Sequence, residues 1–122
     1  VEDMCVPIRA LPQLVTRGRD LCAAHGIEVH MSGHGGDGNL HPTLFFDPSD
    51  PDASRRAWQA FGDLVDLALS MGGTLSGEHG VGTLKARYLP RQLDAAALAR
   101  LRAIRCVFDP HGLMNPGVGY PA

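Results

Sequence analysis

The sequence predicts an α+β fold: an antiparallel sheet with helices on one face, followed by an extra C-terminal helix. Three observations predict it. Short segments of alternating polarity and longer segments with apolar residues at i, i+3 and i+7 succeed one another as strand, helix, strand, strand, helix, strand, helix. The two central strands are joined by a glycine-rich stretch too short for a crossover, so they form an antiparallel hairpin. Finally, 122 residues, of which 44% are hydrophobic and 20% charged, suit one domain with a core of its own.

Each element has a local reason. Val1 to Val6 is rich in β-formers and is stopped by Pro7. Pro12 then suits the first turn of a helix in which Leu11, Leu14, Val15, Leu21 and Cys22 recur at helical spacing, and Gly26 ends it after His25. In the next segment Ile27, Val29 and Met31 alternate with Glu28, His30 and Ser32, as in a half-buried strand. Leu40 to Phe46 forms its partner. Asp47-Pro48-Ser49-Asp50-Pro51 is a turn leading into a capped helix over 52–71, where Trp58, Phe61, Leu64, Val65, Ala68 and Met71 form one apolar stripe. Gly72-Gly73 ends that helix and Thr74-Leu75-Ser76 reads as a brief strand. Asp94 caps a last helix carrying Leu98, Leu101, Ile104 and Phe108. This order is the split βαβ pattern of ferredoxin-like folds, with all of 1–122 in one domain.

Charge and cysteines narrow the function. A net charge of -2 and a pI near 6.3 argue against a nucleic-acid or anionic-membrane binder. No apolar stretch is long enough to cross a bilayer, and no signal-peptide pattern opens the chain. Cys5, Cys22 and Cys106 are far apart and lack a CxxC pair, so they read as reduced core thiols of an intracellular, cytoplasmic protein. The chain starts at Val1 rather than Met, which suggests a processed product or a fragment.

Nine of the 15 glycines fall in two places, Gly33 to Gly38 and Gly72 to Gly82, and His34, His41 and His79 lie in or beside them. Asp37-Gly38 is a favoured two-residue hairpin turn, and a turn there sets His34 opposite His41. Directly opposed residues on one face have Cβ atoms about 4.5 to 5.5 Å apart, so the two imidazoles can converge on one metal ion. Alternation puts them with Glu28, His30, Ser32, Thr43 and Phe45, on the face away from the helices. In the second cluster Glu78 and His79 sit between glycines. The carboxylate suits a third metal ligand and the imidazole a general base, and two histidines with one carboxylate describe a catalytic metal site. The plainer alternatives are a hairpin with solvated histidines, a surface loop, and, less well, a phosphate-cradling loop, which needs a helix where a strand follows. Lys85 reads as a solvated helix-end residue or a contact for a substrate anion, and His25 and His111 as helix-terminal or loop residues.

GHGGDGNLHP (Gly33 to Pro42), GGTLSGEHGVGTLK (Gly72 to Lys85) and FDPHGLMNPG (Phe108 to Gly117) resemble, in that order, the C-terminal signatures of FAD-linked 2-hydroxy-acid oxidoreductases. These are flavoproteins of vanillyl-alcohol oxidase type, the group that includes the flavin-binding chain of glycolate oxidase, D-lactate dehydrogenase and D-2-hydroxyglutarate dehydrogenase. The resemblance implies that the chain is the substrate or cap domain of such an enzyme, whose FAD-binding domain lies N-terminal to it. It implies a divalent metal, with zinc the expected ion, on His34, His41 and Glu78, His79 as catalytic base, and Asn115 near the flavin. Thr43 and Lys85 are the implied substrate-binding residues; Thr43 stands where some members carry Asn, which leaves the 2-hydroxy acid open, and Val118 stands where the family often has Lys, which argues against a flavin contact there. The implied partners are a small 2-hydroxy-acid substrate, the FAD-binding domain of the same protein and an electron-transfer subunit, through which alone the protein would meet a membrane; nucleic acid is not among them. The isolated chain is expected to be inactive. The rival readings are a stand-alone ferredoxin-like module that binds a metal or ligand without enzymatic activity and, less well supported, a metal-dependent hydrolase.

Overall fold

The structure is a computed structural model that describes residues 2–119. The chain divides into two compact units, residues up to His79 and residues from Gly80 onward.

The first unit is α+β. Strand β1 (Met4–Cys5) leads through a single 3-10 turn into helix α1 (Leu11–Ala24). Strands β2 (Glu28–His34) and β3 (Asn39–Phe45) form a hairpin, and helix α2 (Pro51–Ser70) follows. The sheet order is β1-β3-β2, antiparallel throughout. Because α1 joins β1 to β2 while β3 lies between them, the arrangement is the expected split βαβ. The fourth strand is the element that contracts. Thr74 makes only a bridge to Cys5, with both backbone bonds formed, and the backbone then bends at Leu75 and again from Gly77 to His79. The first strand is also shorter than its β-formers suggest, since Pro7 turns the chain; Val1 lies outside the described residues.

The helices start and stop for the reasons the sequence offers. Pro12 occupies the first turn of α1, and Gly26 beyond its end adopts φ +67°, a conformation that costs glycine little. The Asp50 side chain accepts from the Asp52 amide at the head of α2, whose face of Ala57, Ala60, Phe61, Leu64, Val65 and Ala68 is buried. Leu14, Gly18 and Cys22 of α1 are buried as well, and at Gly18 an added methyl would lie 2.9 Å from Met31 Cε and 3.0 Å from Leu64 Cδ2. Met31 therefore points towards the helices, and the even-numbered residues Glu28, His30 and Ser32 point the other way and are exposed.

The second unit contains a short helix α3 (Leu89–Gln92) and helix α4 (Ala95–Phe108), capped by Asp94 through a 2.7 Å bond from the Ala97 amide. Two expectations fail here. Of Leu98, Leu101, Ile104 and Phe108 on α4 only Leu98 is buried; Leu101 is half-buried, and Ile104 and Phe108 are exposed, as is Val107 beside them. Cys106 is likewise exposed, Cys5 is half-buried and Cys22 alone is a fully buried thiol. Among the described residues, no helix is long and apolar enough to cross a membrane.

Candidate metal and proton-transfer site

The hairpin is built differently from a two-residue turn, and the difference decides the geometry. Four residues, Gly35 to Gly38, connect the strands, and the register pairs His34 with Asn39, Gly33 with Leu40 and Ser32 with His41. Gly38 closes this connection at φ +75°, with its carbonyl accepting from the Val6 amide at 2.9 Å and its Cα tight against the Val6 carbonyl. The register therefore shifts by two residues from that of an Asp37-Gly38 turn. An even shift leaves every side chain on its original face. His34 and His41 become diagonal neighbours rather than direct opposites, and their ring centroids lie 5.1 Å apart, edge to face.

Glu78 comes to both rings from the second glycine cluster. Its Oε1 stands 3.0 Å from His34 Nε2 and 3.0 Å from His41 Nε2. The three ligand atoms all lie within 4.8 Å of one another. The His41 side chain is 12% exposed, that of Glu78 51%, so the cluster has a buried floor and an open side. His79 lies beside it, with its ring stacked on His41 at 4.8 Å and an interplanar angle of 12°.

Two further residues shape the site, and sequence reasoning missed both. Asn39, buried at the head of β3, donates from Nδ2 to Glu78 Oε1 at 3.1 Å. Gly77 makes room for it: an added methyl there would meet Asn39 Oδ1 and Cys5 Sγ, each at 2.6 Å. Asp3, fully buried just before β1, accepts from the Ser76 hydroxyl and from the backbone amides of Gly77, Glu78 and His79. Asn39 lies inside the GHGGDGNLHP motif, between the two histidines, and that position could have flagged it. For Asp3 the signal is fainter: an acid at the edge of an apolar strand.

The remaining candidates are placed elsewhere. Thr43 is on β3 opposite His30, half-buried, on the same face as His41. Lys85 belongs to the second unit and is 1% exposed, so it is not a solvated helix-end residue. Asn115, also in the second unit, has φ +47° and lines a shallow cavity of about 330 Å³ with Ile104, Phe108, Met114 and Val118. Arg105 holds the wall of that cavity by donating to the carbonyls of Met114, Asn115 and Val118, and Asp109 accepts from the Leu113 and Met114 amides. His25 closes α1 and meets Asp63 at 2.7 Å, apart from the cluster.

The donor set suits a divalent ion. Ligand atoms about 2.0–2.1 Å from a tetrahedral zinc stand roughly 3.3 Å from one another, and the two His–Glu separations of 3.0 Å are close to that. Two neutral imidazoles and one carboxylate leave coordination positions open, as sites that handle substrates do. FAD is a different matter. Neither glycine cluster leads directly into a helix, so neither forms a dinucleotide cradle.

Comparison with known proteins identifies the family of the chain. The chain belongs to the family described as FAD linked oxidases, C-terminal domain, whose model matches residues 1–118. It is 39% identical over 117 residues to glycolate oxidase subunit GlcD of Bacillus subtilis, covering 96% of this chain and 25% of that protein. It is 40% identical over 117 residues to the mitochondrial D-lactate dehydrogenase [cytochrome] of Arabidopsis thaliana, covering 96% of this chain and 21% of that protein. With D-2-hydroxyglutarate dehydrogenase of Escherichia coli it shares 38% identity over 116 residues, 95% of this chain and 11% of that protein. The chain thus spans a quarter or less of these relatives.

Proposed function

We propose that the chain is the substrate domain of an FAD-dependent oxidoreductase that oxidises a D-2-hydroxy acid, of the glycolate or D-lactate type, to the 2-oxo acid. The observation that carries this reading is the convergence of His34, His41 and Glu78, with His79 stacked alongside, in a chain of the FAD-linked oxidase family.

His34 Nε2, His41 Nε2 and Glu78 Oε1 would hold a divalent ion, with zinc the best fit to two nitrogens and an oxygen. When bound, the ion supplies a Lewis acid that orients the substrate's oxygens and favours loss of its hydroxyl proton, and FAD supplies the hydride acceptor. His79 accepts the hydroxyl proton at Nε2. Its Nδ1 is on the side of Asp3, 3.9 Å from Oδ1, and its Nε2 is the nitrogen on the other side of the ring. Taking the O–H proton is the part this chain would perform, through His79; the hydride of C2 would go to the FAD that the FAD-binding domain holds, leaving C2–O as a carbonyl. Thr43, on the same face as His41, is the substrate contact that the sheet supports. Lys85, buried in the second unit, is the candidate contact for the substrate's anion. Asn115, at the rim of an apolar cavity, suits one edge of the flavin, and the FAD-binding domain of the same protein would hold the rest of it.

Kinetics of the FAD-loaded protein carrying this chain test the reading. His79→Ala should lower kcat about 10²- to 10⁴-fold, the usual worth of a positioned general base. A kcat within threefold of wild type would remove His79 from the mechanism.

A further inference from the structure

We infer that Asp3 is the positioning residue of the site, holding Glu78 and His79 to the sheet that carries His34 and His41. The inference rests on the metal reading above and adds a residue to it.

Glu78 and His79 belong to a segment without regular structure, between the Thr74 bridge and the end of the first unit. Such a segment has no ladder to fix its backbone, yet a metal ligand and a proton acceptor need a defined one. Asp3 supplies the missing partner. One of its oxygens, Oδ2, receives the amides of Gly77 at 2.8 Å, of Glu78, and of His79 at 3.0 Å, while Oδ1 receives the Ser76 hydroxyl at 3.1 Å. Successive amides converging on one point form an anion nest, filled here by a carboxylate of the chain itself. Burying a carboxylate is costly unless it is well hydrogen-bonded, so the nest and the acid hold each other in place. Fixing the amides of 77–79 fixes the directions in which the Glu78 and His79 side chains leave the backbone.

Asp3 is itself tied to the hairpin. On one side the Glu2 amide donates to the Pro42 carbonyl at 3.2 Å, and on the other Met4 pairs with Leu40. His41 lies between those two β3 residues. The same strand register therefore places His41 and, through Asp3, the loop bearing Glu78 and His79. Asp3 also faces the His79 ring, 3.9 Å from Nδ1.

The test uses the 122-residue chain and zinc. In Asp3→Asn, amide hydrogen exchange at Gly77, Glu78 and His79 should quicken more than tenfold while exchange in α2 stays as in wild type. Zinc affinity measured calorimetrically should fall about 10- to 100-fold, the usual cost of removing a group that orients a metal ligand. Unchanged exchange at those three amides would overturn the inference. So would faster exchange with zinc affinity within threefold of wild type. His34→Ala is run in parallel as the ligand control. If wild type and His34→Ala bind zinc equally or not at all, it is the metal reading that falls, and exchange alone then judges the hold of Asp3 on the loop. If Asp3→Asn does not fold, Ser76→Ala decides. About two- to fivefold faster exchange and weaker zinc binding support the inference, and wild-type values overturn it.

Discussion

His41 Nε2 stands 3.0 Å from Glu78 Oε1, although the strand bearing His41 and the loop bearing Glu78 do not pair with one another. The carboxylate is half exposed, so in the absence of metal its contact with the imidazoles is worth little. Glu78→Ala should therefore cost the metal-free chain only about 1–3 kcal/mol, mostly from leaving the buried Asn39 amide without its acceptor, as urea denaturation would measure. The same variant should lose the rise in melting temperature that zinc produces in wild type. A larger metal-free loss would make Glu78 a structural residue instead.

Leu64 is the best place to test the core. It is fully buried on α2 and faces the crossing with α1 at Gly18 and the sheet at Met31. Leu64→Ala should cost about 2–5 kcal/mol, from lost burial plus the cavity left behind. Denaturant midpoints at unchanged slope would show it, and a cost below about 1 kcal/mol would mean that α1 closes over the gap.

Gly73 marks the closest backbone approach in the second cluster. An added methyl would lie 2.2 Å from the Cys5 carbonyl oxygen and 2.7 Å from that of Ala68, and neither is the end of a flexible side chain. Gly73→Ala should destabilise by about 3 kcal/mol by forcing the Cys5–Thr74 bridge open. Exchange of the Cys5 and Thr74 amides, which bond to each other's carbonyls, should quicken with it.

The thiols should separate by reactivity. Burial pushes the Cys22 thiol up to about 11, while Cys106 is exposed. At about pH 8 a disulfide reagent should modify Cys106 readily and Cys22 only on unfolding. The linked pH effect has a definite sign. The unfolded thiol loses its proton near pH 8.5–9 and the folded one holds it to about 11, so this contribution is full below about pH 8.5 and is lost as pH rises towards 11. Cys22→Ala should flatten that part of the stability profile, and parallel profiles for variant and wild type would contradict it.

Much of this arrangement is legible in the sequence because it follows from periodicity and punctuation. The α2 stripe, Asp50 and Asp94 as caps, and Gly26 as a stop are local signals, and local physics settles them. The shared face of His34 and His41 is legible for a subtler reason. The expected turn is two residues too short, yet an even register shift leaves the faces unchanged. What the sequence does not disclose is set at long range. The contraction of the fourth strand to the Thr74 bridge goes with the bond between Asp3 and the amides that follow Ser76, and no pattern within 72–82 points to it. Likewise Ile104, Val107 and Phe108 follow a helical stripe, but periodicity cannot say whether anything covers them, and in this chain they are exposed.

The most direct test of the central claim is calorimetric titration of the chain with zinc, alongside His34→Ala and His41→Ala. The account predicts one zinc per wild-type chain and at least about a 100-fold loss of affinity in either variant, since two remaining ligands hold an ion poorly. Equal affinity in all three proteins, or no binding by wild type, would contradict it.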